Sequence, residues 1–407
     1  MIPSNQRKAI VSTTIVAIAY IIYMLVRVSI AANGNLSLIA LIGQQFSNIH
    51  QLPSYLARVP LTGYDGQFFL RLAMDPFDFH TWAFGMKLDS LYRIQRIGYP
   101  FFAWILSGGT HRFVPMALVE VNIIAVSLIG YFGTLLASGS RYAILVGISL
   151  ATYCGYAFSV GHDLAEPTAA ALLLAGLFAL RKNKFWTGSV LLSLAPLARE
   201  TELIVPFSIG IVCLFQLIKG QKPILPFQTF VIPGAVFIIW QIVIALARGG
   251  LPLSGDVSSN LGIFLLSPIR GVIVHFESLV HGTIFFGVVT RFFKLPFHVS
   301  AWPADALWFL QLIIISFVVV LAGKNIILSK APSYEKVSWV IMLFLALSIS
   351  GATWDNSAYF RYIDMVWLLS ILIYSATPKT NYTKVFYLGS ISFIFSVLLL
   401  VVNISGW

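Results

Sequence analysis

Two short motifs in this sequence bring carboxylates to places where they could accept a proton. The first, Gly63-Tyr64-Asp65-Gly66-Gln67, sets an acid between two glycines, which allow a tight turn and leave room for a ligand. The second, His162-Asp163-Leu164-Ala165-Glu166-Pro167, gathers a histidine and two acids. General acid–base catalysis needs such groups within hydrogen-bond reach of the reacting atoms. Each motif also fits a structural role, because Asp65 can be a turn residue and Asp163 can cap the following helix.

Further charged residues lie in the basic and aromatic run 92–100 or at breaks and ends of apolar stretches. Arg199-Glu200 interrupts one such stretch, where charges must be paired or lined by water. An arginine fork in such a place can bind phosphate or carboxylate through two parallel hydrogen bonds, so ligand binding competes with structural ion pairing as the interpretation. The set comprises Arg93, Arg96, Arg199, Glu200, Asp355, Arg361 and Asp364.

Composition places these motifs in a membrane protein. Hydrophobic residues make up 58% of the 407 residues, charged residues make up 10%, and the mean hydropathy is +0.87. Runs of about 18 to 25 apolar residues recur, as is typical of transmembrane helices. The net charge of +11 comes largely from lysines in short loops, so nucleic acid is a poor candidate partner. Cys154 and Cys213 lie inside apolar runs, which argues against a disulfide framework or a multi-cysteine metal site.

We predict an all-α polytopic membrane fold in which residues 1–407 form a single transmembrane domain of about eleven helices. Residues 33–112 are expected to form a first outer loop with helices in the membrane interface, and residues 248–304 a second outer region. The stretch 261–293 fits either an outer amphipathic region or a hairpin that enters and leaves on one side. The predicted spans are approximately 10–30, 113–137, 142–160, 165–180, 186–196, 203–218, 227–246, 306–322, 337–353, 359–375 and 385–402.

The distribution of charge orients this topology. The side that carries the N-terminus holds ten lysines and three arginines, whereas the opposite side holds eleven arginines and two lysines. Because positive loops face the cytoplasm, we expect a cytoplasmic N-terminus in the cell membrane. Of the 15 acidic residues, Glu335 alone falls on the cytoplasmic side. Outer arginines beside outer acids predict an extracytoplasmic site for an anionic ligand, unless the arginines merely pair with those acids.

The order of these landmarks resembles the GT-C superfamily of polyprenyl-phosphate-sugar-dependent glycosyltransferases, which includes protein O-mannosyltransferases and lipid A aminoarabinose transferases. A first membrane helix precedes a long outer loop with an early acid, Asp65; an aromatic-proline segment at 98–104 and Asp163 follow. The resemblance covers residues 1–220. It implies that Asp65 acts at the acceptor, that Asp163 is a second acid and that Arg199 is the basic residue of the broken fifth span. Many relatives carry two adjacent acids in this loop, whereas Gly66 follows Asp65 here, so a divalent cation is left open.

The expected reaction transfers a sugar from a polyprenyl monophosphate to a lipid, glycan or protein acceptor at the extracytoplasmic face. Asp65 would accept the acceptor's proton as general base, and the resemblance implies inversion in a single displacement. The residues expected to neutralise the leaving phosphate are Arg93, Arg96, Arg199 and Arg361. Those expected to line the acceptor or the sugar are Tyr64, Gln67, His162, Glu166, Glu200 and Asp355.

Two other functions fit the same residues. A transporter or flippase for an anionic lipid or a sugar phosphate would also use outer arginines and a broken helix. Transporters commonly contain internal repeats, and this sequence shows none between its halves. A polymerase or ligase acting on a lipid-linked glycan would differ from a transferase in substrate size. His162, His275 and His281 lack metal-ligand spacing, and the chain has no Asp-x-Asp motif, which favours a lipid-linked donor over a nucleotide sugar.

Overall fold

The structure, a computed structural model, describes residues 3–60, 62–252, 265–281, 302–349 and 358–402. These residues are mostly helical. In chain order the helices are α1 (Ser4–Ile30), α2 (Gly66–Met74), α3 (Tyr92–Gln95), α4 (Gly98–Leu106), α5 (Val114–Leu136), α6 (Ala143–Ala151), α7 (Cys154–Val160), α8 (Glu166–Arg181), α9 (Phe185–Ala198), α10 (Ile204–Ile218), α11 (Gln228–Arg248), α12 (Leu266–His281), α13 (Trp302–Asn325), α14 (Ser333–Ser348), α15 (Ala358–Tyr362), α16 (Asp364–Ser375) and α17 (Thr383–Val402). Short 3-10 helices span Leu36–Ala40, Gln44–Phe46, His111–Phe113 and Glu200–Leu203.

The long apolar helices confirm an all-α, multi-pass membrane protein. Within the described part of the chain, six helical segments are long and apolar enough to cross a membrane alone, and the bent pair α6–α7 makes a seventh. The remaining predicted spans coincide with the shorter helices α8, α9 and α14 and with the pair α15–α16. Three of these shorter helices meet polar segments at one end: α8 begins at Glu166, α9 stops before Arg199 and α16 begins at Asp364. These three helices are short because a charged residue stands where a longer apolar helix would have a further turn.

Small residues let the N-terminal helices pack closely. A Cβ atom on Gly147 of α6 would lie 2.4 Å from the backbone oxygen of Gly130 in α5, a distance that only glycine tolerates. Ser12 of α1 donates a hydrogen bond to the same Gly130 oxygen at 3.2 Å. Close backbone approach and small polar side chains are the usual means of helix association in membranes. The packing of α1, α5 and α6 therefore gives the outer segments a rigid base.

The segment between α1 and α5, which the sequence predicts to be the first outer loop, packs against this base, and we call it the cap. Two short strand pairs brace it: β1 (Ile42–Gly43) runs parallel to β2 (Arg58–Val59), and β3 (Trp82–Ala83) runs antiparallel to β4 (Met86–Lys87). All nine residues of α2 are buried. Helix α4 is tied to α5, because the Tyr99 hydroxyl donates to the Leu118 carbonyl at 3.0 Å.

Helix α2 meets the α7–α8 loop at one tight contact. A Cβ atom on Gly66, the first residue of α2, would lie 2.2 Å from the carbonyl oxygen of His162. A substituent there must therefore push the two backbones apart. This contact brings the first acidic motif against the second, although the two are about a hundred residues apart in the chain.

Residues 248–304, which the sequence predicts to be a second outer region, are described only in part. Helix α12 covers Leu266–His281, and residues 253–264 and 282–301 lie outside the described residues. Helix α12 packs on α13, where the ring Nδ1 of His275 lies 2.8 Å from a carboxylate oxygen of Asp305. The choice between an amphipathic region and a hairpin for 261–293 remains a prediction.

The contact at Gly66 yields a stability prediction. Gly66→Ala should lower the free energy of unfolding by about 1 to 3 kcal/mol, because overpacking against backbone cannot be relieved by a rotamer change. Gly234→Ala is the matched control, since a Cβ on Gly234 of α11 meets nothing within 4 Å. The thermal midpoints of both variants in detergent should separate, with Gly66→Ala lower. Equal midpoints would contradict the close contact.

Candidate active site

Asp65 lies at the start of α2 and is held between two arginines. One carboxylate oxygen is 3.0 Å from Nη2 of Arg93, and the other accepts a hydrogen bond from Nη2 of Arg361. Its side chain is 18% exposed. Burial raises the pKa of the Asp65 carboxyl, but Arg93 and Arg361 lower it by more, so this pKa lies well below its ordinary value. Asp65 is therefore a firmly ionised group rather than a solvated turn residue.

Beyond Arg361 the charges continue to alternate in sign. A Glu166 oxygen lies 3.8 Å from Nη1 of Arg361 and 4.0 Å from Nη1 of Arg199. That nitrogen of Arg199 also donates to an Asp364 oxygen at 2.9 Å and to the Arg361 carbonyl at 2.6 Å. We call Asp65, Arg361, Glu166, Arg199 and Asp364 the charge network. It joins the first outer loop, α8, the α9–α10 break and the α15–α16 region.

The two central arginines have N–H groups to spare. Nε and Nη2 of Arg199, and Nε and Nη1 of Arg361, are buried and have no hydrogen-bond partner within the described ranges. Leaving a buried charged donor unpaired is costly, and each such group in a folded protein calls for an explanation. The two guanidinium groups also lie near one ring, at 5.4 and 4.9 Å from the centre of Tyr362. A ligand with several acceptor oxygens, such as a phosphate, would satisfy these donors.

Arg93 and Arg96 differ in how they are held. Arg93 makes a two-pronged pair with Asp89, at 3.0 and 2.9 Å, in addition to its contact with Asp65. Arg96 makes a two-pronged pair with Glu200, at 2.8 and 2.6 Å, and the Tyr92 hydroxyl donates to the same carboxylate at 2.7 Å. The fork of Arg96 is thus engaged by Glu200. Of the four arginines expected to bind phosphate, Arg199 and Arg361 belong to the charge network and Arg93 adjoins it through Asp65. Arg96 belongs to the separate pair with Glu200.

Asp163 is fully buried between α7 and α8 and has a left-handed backbone, with φ of 52°. It does not cap α8, because the N-cap position is Ala165 and no side chain caps it. Neither carboxylate oxygen of Asp163 accepts a hydrogen bond from a described residue. Arg27 of α1 lies near enough to act on its charge. Asp163 adjoins the cap, since the preceding carbonyl touches Gly66.

The residues expected to line a sugar or an acceptor occupy different settings. The Tyr64 ring lies 5.3 Å from the Arg361 guanidinium and 5.2 Å from the His162 ring, so both aromatic residues adjoin the network. The Gln67 amide is used by backbone, because it accepts from the Gly43 N–H at 3.0 Å and donates to the Thr62 carbonyl at 2.9 Å. Gln67 therefore positions the loop. Asp355 lies outside the described residues.

Sequence reasoning did not assign site roles to two buried charges. Arg27 donates from Nε to the Gly161 carbonyl at 2.9 Å, and its Nη2 lies 3.3 Å from the His162 ring nitrogen Nε2. Glu202 is fully buried and, within the described segments, neither of its oxygens has a hydrogen-bond partner. A charge inside an apolar stretch was the available signal for both residues. No group of three or more His, Cys, Asp or Glu side chains among the described residues could hold a metal ion.

Comparison with solved structures finds one protein with a similar fold. No protein-family model and no curated protein matches this chain. The fold is similar to a crystal structure of ArnT from Cupriavidus metallidurans bound to undecaprenyl phosphate, with 11% sequence identity and a TM-score of 0.47. The match covers 90% of this chain and 60% of that one, so this chain spans about three fifths of the protein it resembles. At this identity and score no function is transferred from ArnT to this chain.

The Arg96–Glu200 pair yields a second stability prediction. Glu200→Gln keeps the shape of the side chain but leaves Arg96, which is 2% exposed, without its counter-charge. We expect the free energy of unfolding to fall by about 2 to 4 kcal/mol. Asp89→Asn is the control, because Arg93 keeps Asp65 as a partner and this variant should cost less than about 1 kcal/mol. Thermal midpoints in detergent test the difference, and equal shifts would show that the Arg96–Glu200 pair is not stabilising.

Proposed function

We propose that this protein is a membrane glycosyltransferase that moves a sugar from a polyprenyl-phosphate donor to an acceptor at the extracytoplasmic face. The observation that carries the proposal is the set of spare N–H groups on Arg199 and Arg361 beside the ionised Asp65. Buried guanidinium forks suit a phosphate, and a carboxylate beside them suits the proton transfer that glycosyl transfer needs. The resemblance of residues 1–220 to the GT-C superfamily supports the same reaction.

In this proposal the arginines hold the donor's phosphate. The bond between the anomeric carbon and the phosphate oxygen breaks, and its electron pair stays on the phosphate. Arg199 and Arg361 stabilise that developing charge with donors that are already in place, which is usually the largest catalytic contribution. Arg93, whose fork is shared between Asp89 and Asp65, would assist from the outer side. Arg96 would support the site indirectly through Glu200.

Asp65 acts as the general base, and phosphate binding prepares it. Held by Arg93 and Arg361, its carboxylate is a weak base, because the pKa lies well below its ordinary value. A phosphate that takes hydrogen bonds from Arg361 reduces that arginine's hold on Asp65, so the carboxylate's pKa rises towards a range suited to proton transfer. The acceptor's hydroxyl or amine then attacks the anomeric carbon and gives its proton to Asp65. A single displacement of this kind inverts the anomeric centre.

The other acids assist in this scheme without carrying the proton. Asp163, next to the contact between His162 and Gly66, is the second acid that the resemblance implies. Glu166 keeps Arg199 and Arg361 apart in a defined geometry, and Tyr64 and His162 provide aromatic surface for a sugar ring. Asp355 stays a proposed sugar or acceptor contact. No step requires a metal ion, and a divalent cation remains an open partner of the donor phosphate.

An apolar groove that begins where the α9–α10 break ends suits the donor's lipid tail. It lies between α10 and α11, has a volume of about 670 Å³ and is lined by residues that include Leu203, Ile204 and Leu217. It starts directly after Glu202 and follows α10 for about 21 Å, at 1.5 Å per residue. Each buried methylene of a polyprenyl chain would contribute about 0.8 kcal/mol before ordering costs. The phosphate end of such a lipid would then lie near Arg199.

Asp65→Asn tests the proposed base. Turnover should fall by at least about a hundredfold, because an amide cannot accept the proton. Donor affinity should stay the same or increase, since Arg93 and Arg361 lose a competing carboxylate. Asp89→Asn, which removes the other carboxylate from Arg93, should keep turnover within about threefold. Rates and donor dissociation constants of the purified variants decide this. A parallel loss of binding and turnover in Asp65→Asn would make Asp65 a structural residue.

The nature of the donor tests the function itself. Purified protein in detergent or vesicles should transfer sugar from a panel of hexosyl, pentosyl and aminopentosyl polyprenyl phosphates. It should be inert with the corresponding sugar nucleotides, because these donors have no lipid tail to bind in the apolar groove. The Asp65→Asn variant is the background control. Transfer from a sugar nucleotide without a lipid carrier would overturn the proposal, and movement of the intact lipid across vesicles without transfer would favour a transporter.

A further inference from the structure

A pocket with basic lining residues lies at the ends of α8 and α16 that are opposite to the charge network. It has a volume of about 810 Å³ and is lined by the ends of α5, α8 and α16 and by the loops that follow α5, α13 and α16. Helix α8 runs from Glu166 in the network to Arg181 in this pocket. These are the first and last of its 16 residues, which places the two sites about 22 Å apart along the helix, at 1.5 Å per residue. We call this space the inner pocket; by the charge topology it faces the cytoplasm.

Four cations line the inner pocket, and one of them is neutralised. Arg181 makes a two-pronged pair with the buried Glu335, at 3.0 and 2.6 Å. Arg141, Lys330 and Lys379 are exposed, and none has an acidic partner among the described residues. The pocket therefore carries an excess of three positive charges. The general excess of basic residues in cytoplasmic loops explains the charges, but it does not require that they surround a cavity.

The walls of the inner pocket are tied together before any ligand arrives. The Lys330 N–H donates to the Ala376 carbonyl at 3.0 Å, and the Ser329 hydroxyl donates to the Ile373 carbonyl at 2.6 Å. Arg181 donates from Nη1 to the Leu136 carbonyl at 3.0 Å, which fixes the opposite wall. A site whose backbone is already fixed loses little conformational entropy on binding.

Apolar side chains close in sequence to Lys330, a lining residue of the inner pocket, indicate where its ligand comes from. Ile327 and Leu328, just before Lys330, are 89% and 68% exposed. Large apolar side chains beside a basic pocket at helix ends suit a lipid, with its phosphate inside and its acyl chains along the helices. The Ser140 hydroxyl in the lining accepts a hydrogen bond from the Tyr142 N–H at 3.1 Å and can donate its own proton to a polar head group.

We propose that the inner pocket binds the phosphate head group of an anionic phospholipid from the cytoplasmic leaflet. Arg141, Lys330 and Lys379 contact the phosphate, and Arg181 with Glu335 holds the wall. This site is independent of the proposed transferase activity. The same cations would bind a lipid phosphate and free inorganic phosphate, so the test must include both.

The test measures lipid retained by the full-length protein in phosphatidylcholine nanodiscs that contain phosphatidylglycerol. A triple variant, Arg141→Gln, Lys330→Gln and Lys379→Gln, removes the unpaired charges from the inner pocket. The control triple variant, Lys182→Gln, Lys184→Gln and Lys222→Gln, removes the same charge from neighbouring loops that do not line it. At about 0.5 M salt, attraction to a charged surface is screened over a few ångströms, so contacts inside a pocket dominate.

Wild-type protein should retain phosphatidylglycerol over phosphatidylcholine, counted by native mass spectrometry. The pocket variant should retain at least about tenfold less, and the control variant should stay within about twofold of wild type. Matched elution volumes and thermal midpoints without added phosphatidylglycerol ensure that all three proteins are folded. Equal losses in both variants would overturn the inner pocket as the site. Displacement of the lipid by inorganic phosphate at equal concentration would overturn its assignment to a lipid.

Discussion

The rest of this structure depends on the alternation of positive and negative charge in a buried row of five side chains. Asp65, Arg361, Glu166, Arg199 and Asp364 come from four distant segments, and all but Asp65 are at most 3% exposed. Burying an isolated ion in such surroundings would cost several kcal/mol of free energy, so each charge in the row depends on its oppositely charged neighbours. Arg93 adds a third guanidinium group to the row, and its fork is shared between Asp65 and Asp89. Arg199 and Arg361 keep unused hydrogen-bond donors within the row, which is an arrangement suited to receiving an anion.

The membrane helices could be predicted from sequence because their signal is local. Apolar runs of spanning length mark them, and the described helices lie where those runs occur. The break after α9 was also predictable, since Arg199 and Glu200 interrupt an apolar stretch. The bounds of α8 and α9 also lie close to the predicted 165–180 and 186–196. Helix α14 begins and ends four to five residues before the predicted 337–353, because hydropathy does not reveal where a helix ends against a folded loop. The tight fit of Gly66 to a carbonyl about a hundred residues away has no local signal.

In the candidate site as well, the sequence identified residues but did not identify the partners with which they pair. Sequence reasoning named Asp65, Arg199 and Arg361, but it could not pair them, since Asp65 and Arg361 are 296 residues apart. Glu200 or Glu202 was the natural candidate partner for Arg199, yet Arg199 pairs with Asp364 and Glu200 pairs with Arg96. Adjacent residues on an irregular backbone point in different directions, so nearness in sequence is a poor guide to pairing. Asp355 is a prediction that lies outside the described residues.

The order in which the row is synthesised has a consequence for how the protein matures. Arg199 and Asp364 are separated by 165 residues, so at 5 to 20 residues per second the arginine waits about 8 to 33 s for that partner. Glu166, which leaves the ribosome before Arg199, lies within 4.0 Å of it in the finished protein. Glu166 can therefore provide a counter-charge for the newly inserted arginine during that interval. A chain that stops before Asp364 would leave Arg199 with the longer contact to Glu166 in place of the close pair with Asp364.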